Sequence, residues 1–328
     1  MFESAEARFA IDAVREAALL ARRIQREMVT PAITKDDRSP VTVADFAIQA
    51  LVAQRLRNAR PNAVLIGEER ADTLRSPAGA ATLEQVTQFI STIIPRIAPH
   101  EVCDLIDSGG GDPPASLWTL DPIDGTKGFL RREQYAIALA FIRDGSVELG
   151  ILGCPELADG GRAEPNGVGS IVAAAAGLGT WTRPLEADGE WRRLTVSDQS
   201  KPTNARLLRS VEKAHTNTDE IGQLLVRLGI NAPPIAMDSQ AKYAVLAAGA
   251  GDALVRLLSP SKPDYREKIW DQAAGSIVVT EAGGRITDLD GAPLDFSCGR
   301  TLADNRGVLA TNGHLHEAVL KALKAIGA

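Results

Sequence analysis

The feature that most restricts this 328-residue chain is the segment Asp121-Pro122-Ile123-Asp124-Gly125-Thr126, which follows directly on the apolar run Leu117 to Leu120. That run reads as a strand stopping at Asp121. Pro122 fixes one backbone angle and removes an N–H, and Gly125 permits a sharp turn, so the two carboxylates can be delivered into one small volume. Two like charges that close call for a cation. Only oxygen donors are at hand, with no His or Cys nearby, so the expected ion is hard, Mg²⁺ or Mn²⁺ rather than zinc. If the turn opens a helix, its N–H groups also face a phosphate. On these six residues alone a plain surface turn competes with the metal reading, because every residue in the segment is a turn former.

Its companions shift the balance. Gly67-Glu68-Glu69 ends a β-like run from Ala63 to Ile66, and Trp270-Asp271-Gln272-Ala273-Ala274-Gly275 opens a helix. Thr42, after Pro40-Val41, is the expected N-cap of a helix with Asp45 in its first turn. Four acidic loops or helix starts in that order form a pattern rather than an isolated turn.

Length, charge and cysteine usage bound what surrounds them. A chain of this size exceeds the ~250–300 residues at which single cores stop growing, so two lobes are expected. The boundary is placed in the polar stretch Ser197 to Asn204, giving an α+β unit over 1–200 and an α/β unit over 201–328. The first is expected to carry two or three helices on a mostly antiparallel sheet. Its elements include a helix within Phe2 to Met28, a helical segment Leu83 to Ile97, and a hairpin of Tyr135–Ile142 and Val147–Gly153 joined at Arg143-Asp144-Gly145. Strands are expected at 170–176 and 191–196, and Leu157 to Gly169 reads as a polar loop insertion. After the boundary, strands and helices alternate. The net charge of −6 speaks against a nucleic-acid partner. No apolar stretch reaches the ~20 residues of a membrane span, and the N-terminus is too charged for a signal peptide. Cys103, Cys154 and Cys298 are widely spaced, which fits a reducing cytoplasm.

Glu68-Glu69, the DPIDGT segment at 121–126 and Trp270-Asp271-Gln272-Ala273-Ala274-Gly275 resemble the signatures of the lithium-sensitive, magnesium-dependent phosphatases of the inositol monophosphatase and fructose-1,6-bisphosphatase superfamily. Ser39 to Thr42, Asp121 to Leu130, Val211 to His215, Asp238 to Tyr243 and Tyr265 to Asp271 bring the likeness closer to the 3′(2′),5′-bisphosphate nucleotidases, over nearly the whole chain. The resemblance implies a layered αβαβα fold, with an antiparallel N-terminal sheet and a smaller mixed C-terminal lobe. It also implies hydrolysis of adenosine 3′,5′-bisphosphate and possible action on its sulfated form. Two or three Mg²⁺ ions are implied, replaceable by Mn²⁺ and opposed by Li⁺. Glu68, Asp121, the Ile123 carbonyl, Asp124 and Asp271 then match metal ligands, and Asp45 with Thr126 matches the water-activating pair. Gly125 and Thr126 would meet the scissile phosphate, while His215, Ser239, Lys242 and Arg256 match positions that hold the nucleotide.

Simpler readings stand beside these. His215 alone is a surface or helix-cap histidine, Lys242 a solvated helix charge, and Arg256 the partner of a structural carboxylate. Other functions also compete: an inositol phosphate or sugar bisphosphate phosphatase with the same metal core, or an inert nucleotide sensor. Gly109-Gly110-Gly111 lacks the Lys-Ser/Thr of a P-loop, and His314 and His316, two apart, do not form a metal pair. No protein partner can be inferred.

Overall fold

The computed structural model describes residues 2–27, 33–34, 40–186, 188–211, 218–258 and 264–328. Strands β1 (Ile33–Thr34) and β2 (Pro40–Val41) pair with each other. Strands β3 (Leu65–Gly67), β4 (Ser116–Asp124), β5 (Ala136–Arg143) and β6 (Ser146–Cys154) begin the larger sheet. A small hairpin of β7 (Leu157–Ala158) and β8 (Arg162–Ala163) then leads to β9 (Ser170–Ala175), β10 (Gly179–Pro184) and β11 (Arg192–Leu194). The larger sheet is seven-stranded in the order β11-β10-β9-β6-β5-β4-β3, antiparallel except for the β3–β4 pair. The smaller sheet is mixed and holds β12 (Leu207–Arg209), β13 (Ile235–Ala236), β14 (Ala253–Arg256), β15 (Arg285–Thr287) and β16 (Val308–Thr311).

The alternation along each strand sorts side chains into layers. Trp118, Leu120, Ile137, Leu139 and Ile151 share one buried cluster with helices α1 (Ala5–Glu27) and α2 (Val43–Ala59). Burying each Leu or Ile there contributes about 1.5–3 kcal/mol. Helices α3 (Ala80–Ser91) and α4 (Pro99–Asp107) pack on α2, and α5 (Thr126–Arg131) follows β4. Leu117, Ala136, Ala138 and Ala140 point the other way, into a second cluster with α7 (Ala241–Ala247) and α8 (Ile269–Glu281). The far face of the smaller sheet is covered by α6 (Thr218–Leu228) and α9 (His316–Ile326). The result is the expected five-layer αβαβα arrangement.

Small residues draw α8 close to the larger sheet. A Cβ on Gly150 of that sheet would lie 3.0 Å from the Ala274 Cα, and on the α7 side of α8 one on Gly275 would fall 2.0 Å from the Tyr243 ring. This close approach sets the first turn of α8, with Asp271, beside the end of β4.

Several local expectations are corrected. The helix expected over Leu83 to Ile97 ends at Ser91, and the turns that follow lead past Pro95 to α4. That second helix starts with Pro99 in its first turn, where a missing N–H costs nothing, and the Glu101 carboxylate accepts from the Ala98 amide at 2.8 Å. The insertion 157–169 contains the β7–β8 hairpin rather than loop alone. Its base is held by Arg22, which donates to the Gly167 carbonyl at 2.5 Å and to that of Pro155. The β5–β6 turn has Asp144 and Gly145 at φ +48° and +73°, as a two-residue hairpin with right-handed strand twist requires. Ser39, the first residue of the Ser39 to Thr42 motif, lies outside the described residues.

Candidate active site

The two aspartates of the 121–126 segment owe their placement to a bulge. Asp121 pairs with Ala138 and Asp124 with Ala136, so three steps on β4 match two on β5. Pro122 and Ile123 occupy the irregularity, where a residue without an N–H forfeits no ladder bond. Gly125 follows at φ +86°, a conformation that costs glycine little, and starts α5. A Cβ there would stand 3.0 Å from the Ser239 Cβ, which leaves no slack between this turn and the segment before α7.

Four more acidic groups and two cations converge on this turn. Burial, then Glu68, Asp124, Asp271 and Asp45, push the Asp121 carboxyl well above its ordinary range. Burial also pushes Asp271 well up, opposed by Arg256 and reinforced by Glu267, Asp124 and Glu68. Asp124 is raised by burial, with Lys242 and Arg256 pulling it back and the Gln240 amide donating to its Oδ2 at 2.7 Å. Asp45 is buried in the first turn of α2, where its Oδ2 accepts from both the amide and the hydroxyl of Thr42 at 2.7 Å. The Thr126 hydroxyl donates to the Ile123 carbonyl at 3.2 Å. Glu68, Asp124, Thr126 and Asp271 are half-buried and therefore reachable from solvent.

The cations are less free than their sequence suggests. Lys242 is buried, and its ammonium donates to the Ser239 and Met237 carbonyls at 2.8 and 3.1 Å. Burial pulls it down to about 8, against the attraction of Asp124. Arg256 pairs with Glu267 at 2.8 Å, and Glu267 accepts in turn from Gln272 at 2.7 Å. Arg256 keeps 18% of its side chain exposed, which leaves one edge for a ligand. Ser239 sits at φ +66° with its hydroxyl accepting from the Ala241 amide. His215 lies outside the described residues.

This donor set fits a hard divalent cation. Among the described residues the buried Asp121 Oδ1 has no hydrogen-bond partner, and the raised carboxylates record mutual repulsion that a cation would relieve. Glu68, Asp121, Asp124 and Asp271 offer oxygen only.

The chain matches the inositol monophosphatase family over residues 3–328. It belongs to that family. Among curated relatives it is 39% identical to the 3′(2′),5′-bisphosphate nucleotidase of Emericella nidulans, with 96% of each chain covered. It is 40% identical to the enzyme of that name from Oryza sativa, covering 98% of this chain and 94% of the relative. Of solved structures, the IMPase of Thermotoga maritima superimposes with a TM-score of 0.68 at 21% identity over 98% of both chains. The extragenic suppressor protein suhB of Bartonella henselae gives 0.69 at 19%, covering 98% of this chain and 99% of its own. Membership in the family implies metal-dependent catalysis.

Several residues of this family site escape a linear reading. Gln240 is the main one: besides its amide on Asp124, its side chain donates to the Trp270 carbonyl and accepts from the Gly275 amide, both at 2.9 Å. It therefore ties the β4 turn to the base of α8. Gln49 does the same for the Glu68 loop, donating to the Glu69 carbonyl at 2.7 Å and accepting from its amide at 2.9 Å. Tyr265 lies by Asp271, Glu267 and Glu68, and burial holds its hydroxyl well above the ordinary phenol range. Gln240 and Tyr265 fall inside motifs that carry the family resemblance, but no role was read for them, and nothing marked Gln49. Among the described residues no helix is long and apolar enough to cross a membrane.

Proposed function

We propose that this protein is a magnesium-dependent 3′(2′),5′-bisphosphate nucleotidase that converts adenosine 3′,5′-bisphosphate to AMP and phosphate, and that it also accepts 3′-phosphoadenosine 5′-phosphosulfate. The observation that carries the reading is the juxtaposition of opposite fields. Asp124 lies within the field of both Lys242 and Arg256 and Asp271 within that of Arg256, while on their other side Asp124 and Asp271 adjoin the Asp121 carboxyl. A substrate with phosphates at both ends of a ribose meets cations at one end and a metal at the other. The names and near-complete coverage of the Emericella and Oryza relatives support the nucleotide assignment.

In this reading Glu68, Asp121, the Ile123 carbonyl, Asp124 and Asp271 would hold two or three magnesium ions. Mn²⁺ would substitute and Li⁺ would inhibit. Bound magnesium supplies Lewis-acid charge for the phosphate oxygens and the leaving 3′-oxygen, and it makes water a stronger acid. The chain contributes the rest. Thr126 would orient the attacking water, with Asp45 receiving the proton through the Thr126 hydroxyl, and the Gly125 and Thr126 amides would face the scissile phosphate. Arg256 and Lys242 supply positive charge for the 5′-phosphate, with Ser239 and His215 on the ribose and base. Because the Lys242 ammonium is already held by two carbonyls, the small exposed part of Arg256 would carry the direct contact.

Residues 1–200 and 201–328 are proposed as its two folding units, the second bringing Asp271 and the nucleotide side. The free cysteines fit a reducing cytoplasm. Phosphate release should be measured with magnesium on adenosine 3′,5′-bisphosphate, its sulfated analogue and inositol 1-phosphate. Release from the nucleotides well above that from inositol 1-phosphate is expected, and turnover of inositol 1-phosphate alone would refute the nucleotide assignment.

A further inference from the structure

One arginine outside every acidic motif joins the two halves of the metal site. Arg300 lies in the segment that runs beside the base of α8: its carbonyl accepts from the Ile269 amide at 3.2 Å, Thr301 bridges to Lys268, and the Leu302 amide donates to the Glu267 carbonyl at 2.9 Å. Its backbone is thus fixed to the turn that presents Asp271. Its guanidinium reaches the opposite side. It donates to the Gly67 carbonyl, one residue before Glu68, at 2.7 Å, and to the carbonyls of Gly109 and Gly111 at 3.2 and 3.3 Å. The Gly67 amide in turn donates to the Gly109 carbonyl at 3.0 Å, so the Glu68 loop and the glycine-rich loop are held as one unit. The Arg300 guanidinium also lies over the Trp270 ring, 5.1 Å from its centroid, and Trp270 immediately precedes Asp271.

We propose that Arg300 is a positioning residue that sets the reach of Glu68 toward the carboxylates of β4 and α8, and thereby the affinity of the ion that Glu68 helps to hold. The inference rests on the metal reading given above. A planar fork with five donors can satisfy three carbonyls and still stack on an indole. A lysine keeps the charge but meets those carbonyls with a single point. Without the fork, the Glu68 loop loses its tie to α8 while every ligand stays in the chain. Loss of such a supporting contact typically weakens a metal site by about 10–100-fold.

The test is Mn²⁺ binding, read from the electron paramagnetic resonance of free Mn²⁺, for wild type, Arg300→Ala, Arg300→Lys, Glu68→Gln and Glu68→Gln/Arg300→Ala. Melting of the metal-free proteins is followed in parallel. The binding phase weakened by Glu68→Gln is the one to compare. Arg300→Ala is expected to weaken that phase by about 10–100-fold and Arg300→Lys by less, and adding Arg300→Ala to Glu68→Gln should cost little more. Unchanged Mn²⁺ affinity in Arg300→Ala, with melting lowered or not, overturns the proposal. An equal loss in both backgrounds also overturns it, since Arg300 would then not act through Glu68. If Arg300→Ala does not fold, Arg300→Lys decides by the same comparison. If wild type binds no Mn²⁺, or Glu68→Gln binds as wild type does, the metal reading itself fails, which separates the two failures.

Discussion

The two sides of the site treat buried charge in opposite ways. On the acidic side, burial and then neighbouring carboxylates, Glu68 and Asp124 among them, raise both Asp121 and Asp271, and Asp121 Oδ1 has no hydrogen-bond partner among the described residues. On the basic side, Arg256 has Glu267, Glu267 has Gln272, and Lys242 has two carbonyls. Desolvating a charge is expensive unless it is paired. A fold that pairs its cations internally and leaves its carboxylates in mutual repulsion has reserved the acidic side for something that arrives from solution. The basic side is scaffold first and ligand contact second.

The sharpest way to break this contrast is Asp121→Asn. Turnover of adenosine 3′,5′-bisphosphate should fall by roughly 10³-fold or more, since several kcal/mol of metal-derived stabilisation is lost. The metal-free protein should nonetheless melt no lower than wild type, because one repelling charge has gone. A drop in metal-free melting would mean that Asp121 is structural. Glu267→Gln should behave in the reverse sense. It strands the Arg256 guanidinium and should cost about 3 kcal/mol of stability by denaturant unfolding. An unchanged midpoint would show that Arg256 never depended on that pair.

His316 provides a reference away from both sides. It is buried between the hydroxyls of Thr287 and Thr311, each 3.0 Å from a ring nitrogen, and burial pulls it down to about 4. Its folded pKa lies below the unfolded value near 6.5, so between those limits the unfolded chain binds more protons. The stability His316 contributes is complete above that upper limit and is lost as the pH falls to about 4, a change of roughly 3 kcal/mol. The pH slope of unfolding in that window should flatten in His316→Gln. Smallest is the effect of the ion itself. Magnesium at 100 times its dissociation constant should stabilise wild type by about 2.7 kcal/mol and Asp121→Asn by much less. Equal shifts for both would place the ion elsewhere.

The convergence of the acidic residues was legible in the sequence because each proposed ligand sits in a short motif with its own turn former: Gly67 before Glu68, Pro122 and Gly125 around Asp124, the helix start before Asp271. The layered fold was legible for a related reason, since strand alternation and hairpin turns are local. What holds the site was not. Gln240 meets Asp124 across 116 positions and Arg300 meets Gly67 across 233, and each is an unremarkable polar residue in its own neighbourhood. Lys242 and Arg256 stood out as charges, but the carbonyls and the carboxylate that occupy them depend on tertiary packing. The simpler reading of Arg256, as the partner of a structural carboxylate, describes its Glu267 contact. The break after Ser91 could have been read from Pro95, and α4 from Pro99 followed by Glu101.

The close packing of α8 between the two sheets has a consequence in time as well as in space. Glu68 and Asp271 lie some two hundred positions apart, so their carboxylates become neighbours only after that helix has docked on the strand carrying Asp121. Contacts so remote along the chain form late and slowly. A nascent or half-assembled molecule therefore keeps these carboxylates apart, and the proposed ion would find its full set of oxygens only once assembly has finished.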